Sequence, residues 1–391
     1  ASVTMNPEPL AALIDAFVIG EAEPIVPAVV GAVVGAQSRS ERLRALARLP
    51  GLYVPTQPPT TPVRRLVWPG AATHPRTSLV LSPYAAFPDR FLIEVGRGCP
   101  MGCRFCLART IYQPIRYATR ESLLAAAQEG LRVTRKIGLL GASLSGYPRL
   151  SELVAELVGA GADVSLSSLR ADRITPELLS ALRRGGQETV TIAPEAGTET
   201  LRAAVGKPIP NAALEAAVAA AAEAGLPEVK LYFMTGLPGE TPADREAVVE
   251  LVEGWASRFP TLRFAVTLSP FVPKPWTPLE GEPCPSVREA REIVEGLSAG
   301  LRRRTRANVR PGSARLAAVQ AALARGDFAV GRALIEAAEQ GGGHAALKKA
   351  LKREGVDLDR PQEAPDEKPW ERAIGIAETC GEPGAGGEDR R

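Results

Sequence analysis

Short β-branched runs alternate with helical patterns between about residue 90 and residue 270, and this alternation constrains the fold more than any other feature of the sequence. The helical patterns open on capping residues, as Thr119, Ser151 and Thr175 indicate, and close on glycine. Strands that alternate with helices lie parallel, because each helix returns the chain to the starting edge of the sheet. Such a sheet, open or curled into a barrel, places its ligand site at the carboxyl ends of the strands. The six predicted strands cover residues 91–95, 137–141, 164–167, 190–193, 229–234 and 264–268.

Two flanking regions differ from this α/β core. The N-terminal region combines a helix capped by Asn6, a strand at 17–19, further helical segments and a proline-rich link. Beyond Pro270, a turn-rich stretch leads into a helical tail, whose polar and glycine-rich last dozen residues are expected to be disordered. The sequence therefore predicts three units, which are a small N-terminal α/β unit with a linker at 1–75, a core at 76–285 and a helical C-terminal extension at 286–391.

The composition is that of an ordinary globular protein, with 45% apolar residues, 23% charged residues and a formal net charge of +3. This net charge is too small to indicate nucleic acid binding by itself. The acidic residues Glu8, Asp15, Glu21 and Glu23 argue against a signal peptide and a membrane span in the first 36 residues. The first residue is Ala1 rather than methionine, as expected of a trimmed chain or a fragment. We expect a protein of the cytoplasm with no membrane partner.

Three of the five cysteines lie in the stretch GRGCPMGCRFC, directly after the first predicted strand. Cys99, Cys103 and Cys106 provide three thiolates on one short loop, a ligand set that suits zinc or an iron–sulfur cluster. Structural zinc takes a fourth cysteine or histidine at similar local spacing, and neither His74 nor His344 offers one. A cubane cluster held by three cysteines leaves one iron open for a substrate or cofactor. The plainest alternative is a set of buried cysteines without function.

The spacing Cys-x3-Cys-x2-Cys after the first strand of a βα series resembles the cluster motif of the radical S-adenosylmethionine (SAM) superfamily. The resemblance implies a [4Fe-4S] cluster on the three cysteines, with the amino and carboxylate groups of SAM on the fourth iron. It also implies a partial (β/α)6 barrel similar to a TIM barrel, and it places Phe105 beside the adenine. An electron donor such as flavodoxin or ferredoxin would be the partner.

Further stretches resemble one branch of this superfamily, which contains methylthiotransferases and enzymes with an N-terminal cobalamin-binding domain. ETVTIAPEAGTETLR resembles the fourth-strand segment, so that Glu195 would reach the cofactor and Lys207 would pair with the methionyl carboxylate. KLYFMTGLPGET resembles the fifth-strand segment beside the adenine, which includes Met234 and Gly236. Structural alternatives stay open: Glu195 as a strand end, Lys207 as a solvated charge and Gly236 as part of a turn.

Two more strand ends supply candidates for SAM binding. SLSSLRAD resembles the end of the third strand and adds Ser167, Ser168 and Arg170. The superfamily often has Gly-Gly-Glu after the second strand, where its carboxylate holds the methionyl amino group. This chain has Gly141, Ala142 and Ser143 at that place, so that a hydroxyl replaces the charged group.

The stretch TMNPEPLAALIDAFVIGEAE, at residues 4–23, resembles the closing part of a cobalamin-binding domain. The Asp-x-His-x-x-Gly loop that would ligate cobalt is absent from the sequence, so cobalamin is not predicted. Cys284 and Cys380 stand far apart and are interpreted as incidental.

These features favour a radical SAM enzyme that cleaves SAM reductively to a 5′-deoxyadenosyl radical, with an unknown substrate and unknown catalytic side chains. One alternative is a methyl or methylthio transferase acting on RNA or protein. Another is a non-catalytic protein whose cluster is structural or carries electrons. The arginine-rich run at 301–310 indicates either a solvated helix face or a contact with RNA or an acidic partner.

Overall fold

The computed structural model describes residues 2–376. Cys380 and the last dozen residues, which were expected to be disordered, lie outside the described residues. Among the helices of residues 2–376, none combines the length and the apolar character needed to cross a membrane.

Seven parallel strands form the core of the fold. β1 to β3 pair with one another in chain order, and so do β4 to β7. Leu169 joins the two groups, because its backbone N–H donates to the carbonyl of Thr191 at 2.9 Å. Within residues 2–376 no strand pairing connects β1 with β7, so the α/β fold is a partial barrel, as predicted. The strands are β1 Phe91–Arg97, β2 Lys136–Gly141, β3 Asp163–Leu166, β4 Thr189–Glu195, β5 Glu228–Thr235, β6 Arg263–Pro270 and β7 Asn308–Pro311.

Helices return the chain from each strand to the next. The hydroxyls of Thr119 and Thr175 cap their helices as predicted, since each accepts a hydrogen bond from a backbone N–H of the first turn. The prediction for Ser151 was wrong: that helix begins at Leu150, and Arg149 holds the cap position with a φ of 55°. The helices of the core are α1 Arg120–Leu131, α2 Leu150–Gly159, α3 Pro176–Arg184, α4 Glu199–Ala204, α5 Asn211–Glu223, α6 Pro242–Arg258 and α7 Val287–Arg304.

The seventh strand was not predicted. β7 pairs in parallel with β6, from Asn308 beside Ala265 to Pro311 beside Leu268. Only Val309 of its four residues is buried, so the strand lacks the apolar run by which the other strands were found. The sheet therefore extends past the predicted boundary at residue 286, while the division into three units otherwise stays a prediction.

The N-terminal region forms a small lobe beside β1. The strand Phe17–Val18 pairs antiparallel with Leu52–Tyr53, and the helices Val26–Val34 and Arg39–Ala47 lie between them in sequence. Ion pairs help to tie the lobe to the core, since the buried carboxylate of Glu21 bridges two arginines that flank the cysteine loop. These arginines are Arg97 and Arg116.

Four further helices follow β7 within residues 2–376. They are α8 Ala314–Arg325, α9 Phe328–Glu339, α10 Gly343–Arg353 and α11 Pro369–Ala373. Asn6 contacts this part of the fold, since its side-chain amide donates to the carbonyls of Ala324 and Gly326 at 3.1 and 2.7 Å. The helix predicted to start at Asn6 is only one 3-10 turn, Glu8–Leu10, and the side-chain oxygen of Asn6 accepts a hydrogen bond from the N–H of Glu8 at 3.1 Å.

Candidate functional site

The loop that carries the three cysteines leaves the carboxyl end of β1. Gly98, its first residue, has a φ of +89°, and a Cβ there would lie 2.8 Å from the carbonyl oxygen of Tyr112. Only glycine fits this turn. Cys99 and Cys103 are 9% exposed and Cys106 is partly buried; all three are free thiols.

Backbone contacts fix this loop against the turn that follows α4. The N–H of Arg104 donates to the carbonyl of Val205 at 2.9 Å. Gly206 has a φ of +74°, and a Cβ at this position would lie 2.3 Å from the carbonyl oxygen of Gly102. On the other side, the side-chain amide of Gln113 donates to the carbonyl of Cys99 at 2.8 Å. The three cysteines are therefore held on a rigid support.

The three thiols influence one another electrostatically. Burial raises the pKa of Cys103, whereas the charges of Lys207 and Arg170 lower it and that of Cys106 raises it. Burial also raises the pKa of Cys106; the N–H groups of Ala108 and Arg109 lower it, and the charge of Cys99 raises it. Burial therefore has the larger effect on both thiols, and the nearby N–H groups and cations offset part of it.

Within residues 2–376, no three His, Cys, Asp or Glu side chains converge tightly enough to hold one metal ion. A cubane cluster binds its cysteines through separate iron atoms, so its ligands stand further apart than those of one zinc ion.

Glu195 and Lys207 form a buried ion pair beside Cys103. The ammonium of Lys207 lies 2.7 Å from a carboxylate oxygen of Glu195, and their side chains are 9% and 12% exposed. Glu195 ends β4 with a φ of 72°, after a shift in the pairing register with β5. Burial raises the pKa of this carboxyl, and Lys207 lowers it. The structure brings the two residues together, while their contact with a cofactor stays a prediction.

Arg202 holds both members of this pair in place, and the sequence analysis missed it. Its guanidinium is fully buried and donates to the carbonyls of Ala196 and Gly197, after Glu195, at 3.0 and 2.9 Å. It also donates to the carbonyl of Ile209, after Lys207, at 2.7 Å. An arginine on a short helix gives no sequence signal for such a role.

The remaining polar candidates lie at the ends of β2 and β3. Arg170 binds Asp172 through two hydrogen bonds of 3.0 and 2.9 Å, and its charge acts on Cys103. Two neighbours, Ser167 and Ser168, are exposed. After β2, Gly141 pairs with Gly96 of β1, Ala142 is exposed, and the carbonyl of Ser143 accepts a hydrogen bond from Tyr117 at 3.0 Å.

Phe105 and Met234 form part of an apolar wall at the site. They pack against a cluster that includes Phe271. Gly236 begins the turn next to this wall, with a φ of +72°, and its N–H donates to the carboxylate of Glu240 at 2.9 Å. The wall offers a flat apolar surface that suits an aromatic ring.

Lys274 is a further residue that the sequence analysis missed. It lies between Pro273 and Pro275 in the segment after β6, and it forms no salt bridge within the described part of the chain. Burial lowers the pKa of Lys274, while Cys284 and Cys106 raise it, so the ammonium lies near the cysteine loop. A lysine between two prolines was the available signal, since the prolines fix its backbone.

Trp276, in the same segment, holds that segment against the helix that follows the cysteine loop. Its carbonyl accepts a hydrogen bond from the hydroxyl of Thr110 at 2.9 Å, and its indole N–H donates to the carbonyl of Met5 at 2.8 Å. One residue thus joins the N-terminal segment, the helix after the cysteine loop and the segment after β6.

Two family models match the chain. Residues 93–252 match the radical SAM superfamily, and residues 1–55 match the N-terminal region of radical SAM proteins. The uncharacterized protein MJ0966 of Methanocaldococcus jannaschii is 39% identical over 203 residues, which cover 51% of this chain and 45% of that protein. The chain therefore spans less than half the length of this relative.

Solved structures show a weaker likeness. The radical SAM methyltransferase TsrM of Kitasatospora setae, with cobalamin and a [4Fe-4S] cluster bound, is 17% identical with a TM-score of 0.49, over 74% of this chain and 56% of that chain. The radical SAM enzyme coproporphyrinogen III oxidase of Escherichia coli is 13% identical with a TM-score of 0.35. The match covers 59% of this chain and 50% of that chain. At these TM-scores the likeness carries no argument about reaction or substrate.

Proposed function

We propose that this chain is a radical SAM enzyme, because residues 93–252 match that superfamily. It binds one [4Fe-4S] cluster at Cys99, Cys103 and Cys106 and one SAM molecule beside the cluster. The observation that carries the proposal is the loop at the end of β1, where backbone hydrogen bonds fix the segment that carries the three cysteines and where the charges of the thiols act on one another. When bound, the cluster supplies one electron for cleavage of the sulfonium bond of SAM, which yields methionine and a 5′-deoxyadenosyl radical.

The chain's own residues bind and orient the two groups. The amides of Ala108 and Arg109 stabilise a thiolate at Cys106, and Lys207 and Arg170 do the same for Cys103. These contacts offset part of the rise in pKa that burial causes, and so assist the ionisation of the thiols that metal binding requires.

Around the loop, apolar and polar surfaces suit different parts of SAM. Phe105 and Met234 offer an apolar wall for the adenine, next to the turn at Gly236. Lys207 and Arg170 are the cations nearest Cys103, and each already has a carboxylate partner. The strand ends at Ser143 and Ser167 provide hydroxyls in place of the charged group expected after β2. The segment around Trp276 covers the loop and helps to exclude water.

The test is anaerobic reconstitution of the protein with iron and sulfide, followed by addition of SAM and dithionite. We expect 5′-deoxyadenosine in the chromatogram and a change in the EPR spectrum of the cluster when SAM is added. Cys103→Ala should lose both signals. Cys284→Ala is the matched control, because this thiol is also buried but lies outside the loop.

Two results would contradict the proposal. A cluster that assembles but gives neither 5′-deoxyadenosine nor a spectral change with SAM indicates a structural or electron-transfer protein. Zinc with a complete ligand shell in the purified protein indicates a structural metal site. Flavodoxin or ferredoxin replaces dithionite in a second assay, which tests the proposed electron donor.

A methyl or methylthio transferase acting on RNA or protein is the alternative within the same superfamily. Such an enzyme would use a second cluster or bound cobalamin. The expectation that cobalamin does not bind stays a prediction, and the absorbance spectrum of the protein after incubation with hydroxocobalamin and removal of excess tests it.

A further inference from the structure

A cleft of about 730 Å³ lies outside the candidate site, between the first turns of α7, α8 and α10 and the segment 358–361. None of the cysteines and none of the residues proposed to contact SAM lines it. Its walls come from helices that are far apart in sequence, so the cleft is a product of the fold and not of a single loop.

Positive charge dominates the lining of this cleft. Five of its side chains are arginine or lysine and two are carboxylates, which leaves a formal excess of three positive charges. This excess equals the formal net charge of the whole chain, so the rest of the chain carries no formal net charge. The five cations are Arg288, Arg291, Arg315, Lys348 and Arg360.

Three of the five cations lack a carboxylate partner. Lys348 pairs with Asp359 at 2.6 Å, and Arg288 lies 3.8 Å from Glu292. Arg291, Arg315 and Arg360 form no salt bridge within residues 2–376. These three residues are exposed at the walls of the cleft, and their guanidinium groups are free to bind an anion from solution.

The side chain of His344 lies in the same positive field. Burial lowers the pKa of His344, and the charges of Arg315 and Lys348 lower it further. The carboxylate of Glu289, the second acid in the lining, is engaged at the start of α7, where it accepts hydrogen bonds from the N–H and hydroxyl of Ser286 at 2.9 and 2.7 Å. It therefore neutralises little of the positive charge of the arginines. The first turns of α7, α8 and α10 add the positive ends of their dipoles.

We propose that this cleft binds a compact ligand with two or more phosphate groups. Planar guanidinium groups bind phosphate oxygens in pairs, and three unpaired arginines around one cavity suit a ligand with several anionic groups. The lining contains no Phe, Tyr or Trp, so the large aromatic rings on which the bases of a nucleic acid most often stack are missing from it. The ligand is recognised by its phosphates.

Isothermal titration calorimetry at low ionic strength tests the proposal on the reconstituted protein, with sodium tripolyphosphate as the probe and orthophosphate as the singly phosphorylated comparison. We expect saturable binding of one tripolyphosphate per chain and weaker binding of orthophosphate. Arg315→Ala and Arg291→Ala should each raise the dissociation constant by about tenfold or more, because each removes a charge-assisted contact. Arg315→Lys should have a smaller effect.

The matched control is Arg302→Ala, which removes the same charge from the other end of α7. Arg302 is exposed and lies about 16 Å along the helix axis from Arg291. Its substitution should leave the dissociation constant unchanged. The proposal fails if the wild-type protein shows no saturable binding, or if Arg302→Ala weakens binding as much as Arg315→Ala. It also fails if single-stranded oligouridylate binds more tightly than tripolyphosphate and depends on Arg302.

Discussion

The backbone N–H of Arg104 donates to the carbonyl of Val205 at 2.9 Å and fastens the cysteine loop to the turn before Lys207. Two parts of the chain that were assigned to the site separately thus share one support. Because the bond joins backbone groups, its presence depends on the path of the chain and not on the side chain of Arg104.

Gly206→Ala is predicted to weaken cluster binding. The new Cβ would meet the carbonyl oxygen of Gly102 at 2.3 Å, so the cysteine loop must shift. The variant should retain less iron and sulfide after reconstitution and desalting. Gly225→Ala is the control, because Gly225 also has a positive φ but a Cβ added there would meet no atom within 4 Å. It should cost only about 1–2 kcal/mol of the free energy of unfolding and keep the cluster. Equal iron retention in both variants would contradict the prediction.

Glu195→Gln is predicted to lower the free energy of unfolding by about 3 kcal/mol or more, because it leaves the buried ammonium of Lys207 without its partner. Chemical denaturation measures this loss. The double variant Glu195→Gln with Lys207→Met should recover part of it, since no unpaired charge remains. Glu215→Gln removes an exposed partner of Arg258 and should change stability by less than about 1 kcal/mol. A similar loss in both single variants would argue against a buried pair.

The stability contributed by Cys284 is predicted to fall at alkaline pH. Burial raises the pKa of this thiol from 9.0 to about 11, so the folded state favours the neutral form. The contribution is complete below about pH 9, and it is lost as the pH rises towards 11. Since one pKa unit corresponds to about 1.4 kcal/mol, the loss is at most about 3 kcal/mol. Denaturation of the wild type and of Cys284→Ala at pH 8 and pH 10.5 measures it; a difference between the two proteins that does not change with pH would refute this account.

Val309→Ala is predicted to lower the free energy of unfolding by about 2 kcal/mol, because Val309 is buried in β7 against the core. Arg310→Ala, next to it on the exposed side of the strand, should change stability by less than about 0.5 kcal/mol. Thermal or chemical unfolding of the two variants checks whether β7 belongs to the cooperative core. Equally small changes in the free energy of unfolding for both variants would show that β7 lies outside the cooperative core.

The sequence predicted what depends on local pattern. Six strands followed from apolar runs, the caps at Thr119 and Thr175 followed from hydroxyls before helical patterns, and the cysteine loop followed from its spacing. Each of these signals lies within a few residues, so a single sequence contains it in full. The resemblance added the fold class, which the structure confirms.

What the sequence did not reveal depends on contacts between distant segments. β7 forms because β6 offers a free edge, although its own residues are mostly polar. Ser151 loses its predicted role because Arg149 takes the cap position two residues earlier. Arg202 and Lys274 gain importance only when the fold surrounds them with carbonyls or thiols. No local pattern distinguishes Arg202 from a solvated charge, and the two flanking prolines are the only local signal for Lys274.

The close approach of Gly102 and Gly206 also limits how this site can be redesigned. Main chain meets main chain there, so no side chain remains that could be shortened to make room for a larger substrate. Library designs that enlarge the space beside the cysteine loop must therefore work from the segment after β6, where bulky side chains such as Phe271 and Trp276 can be exchanged.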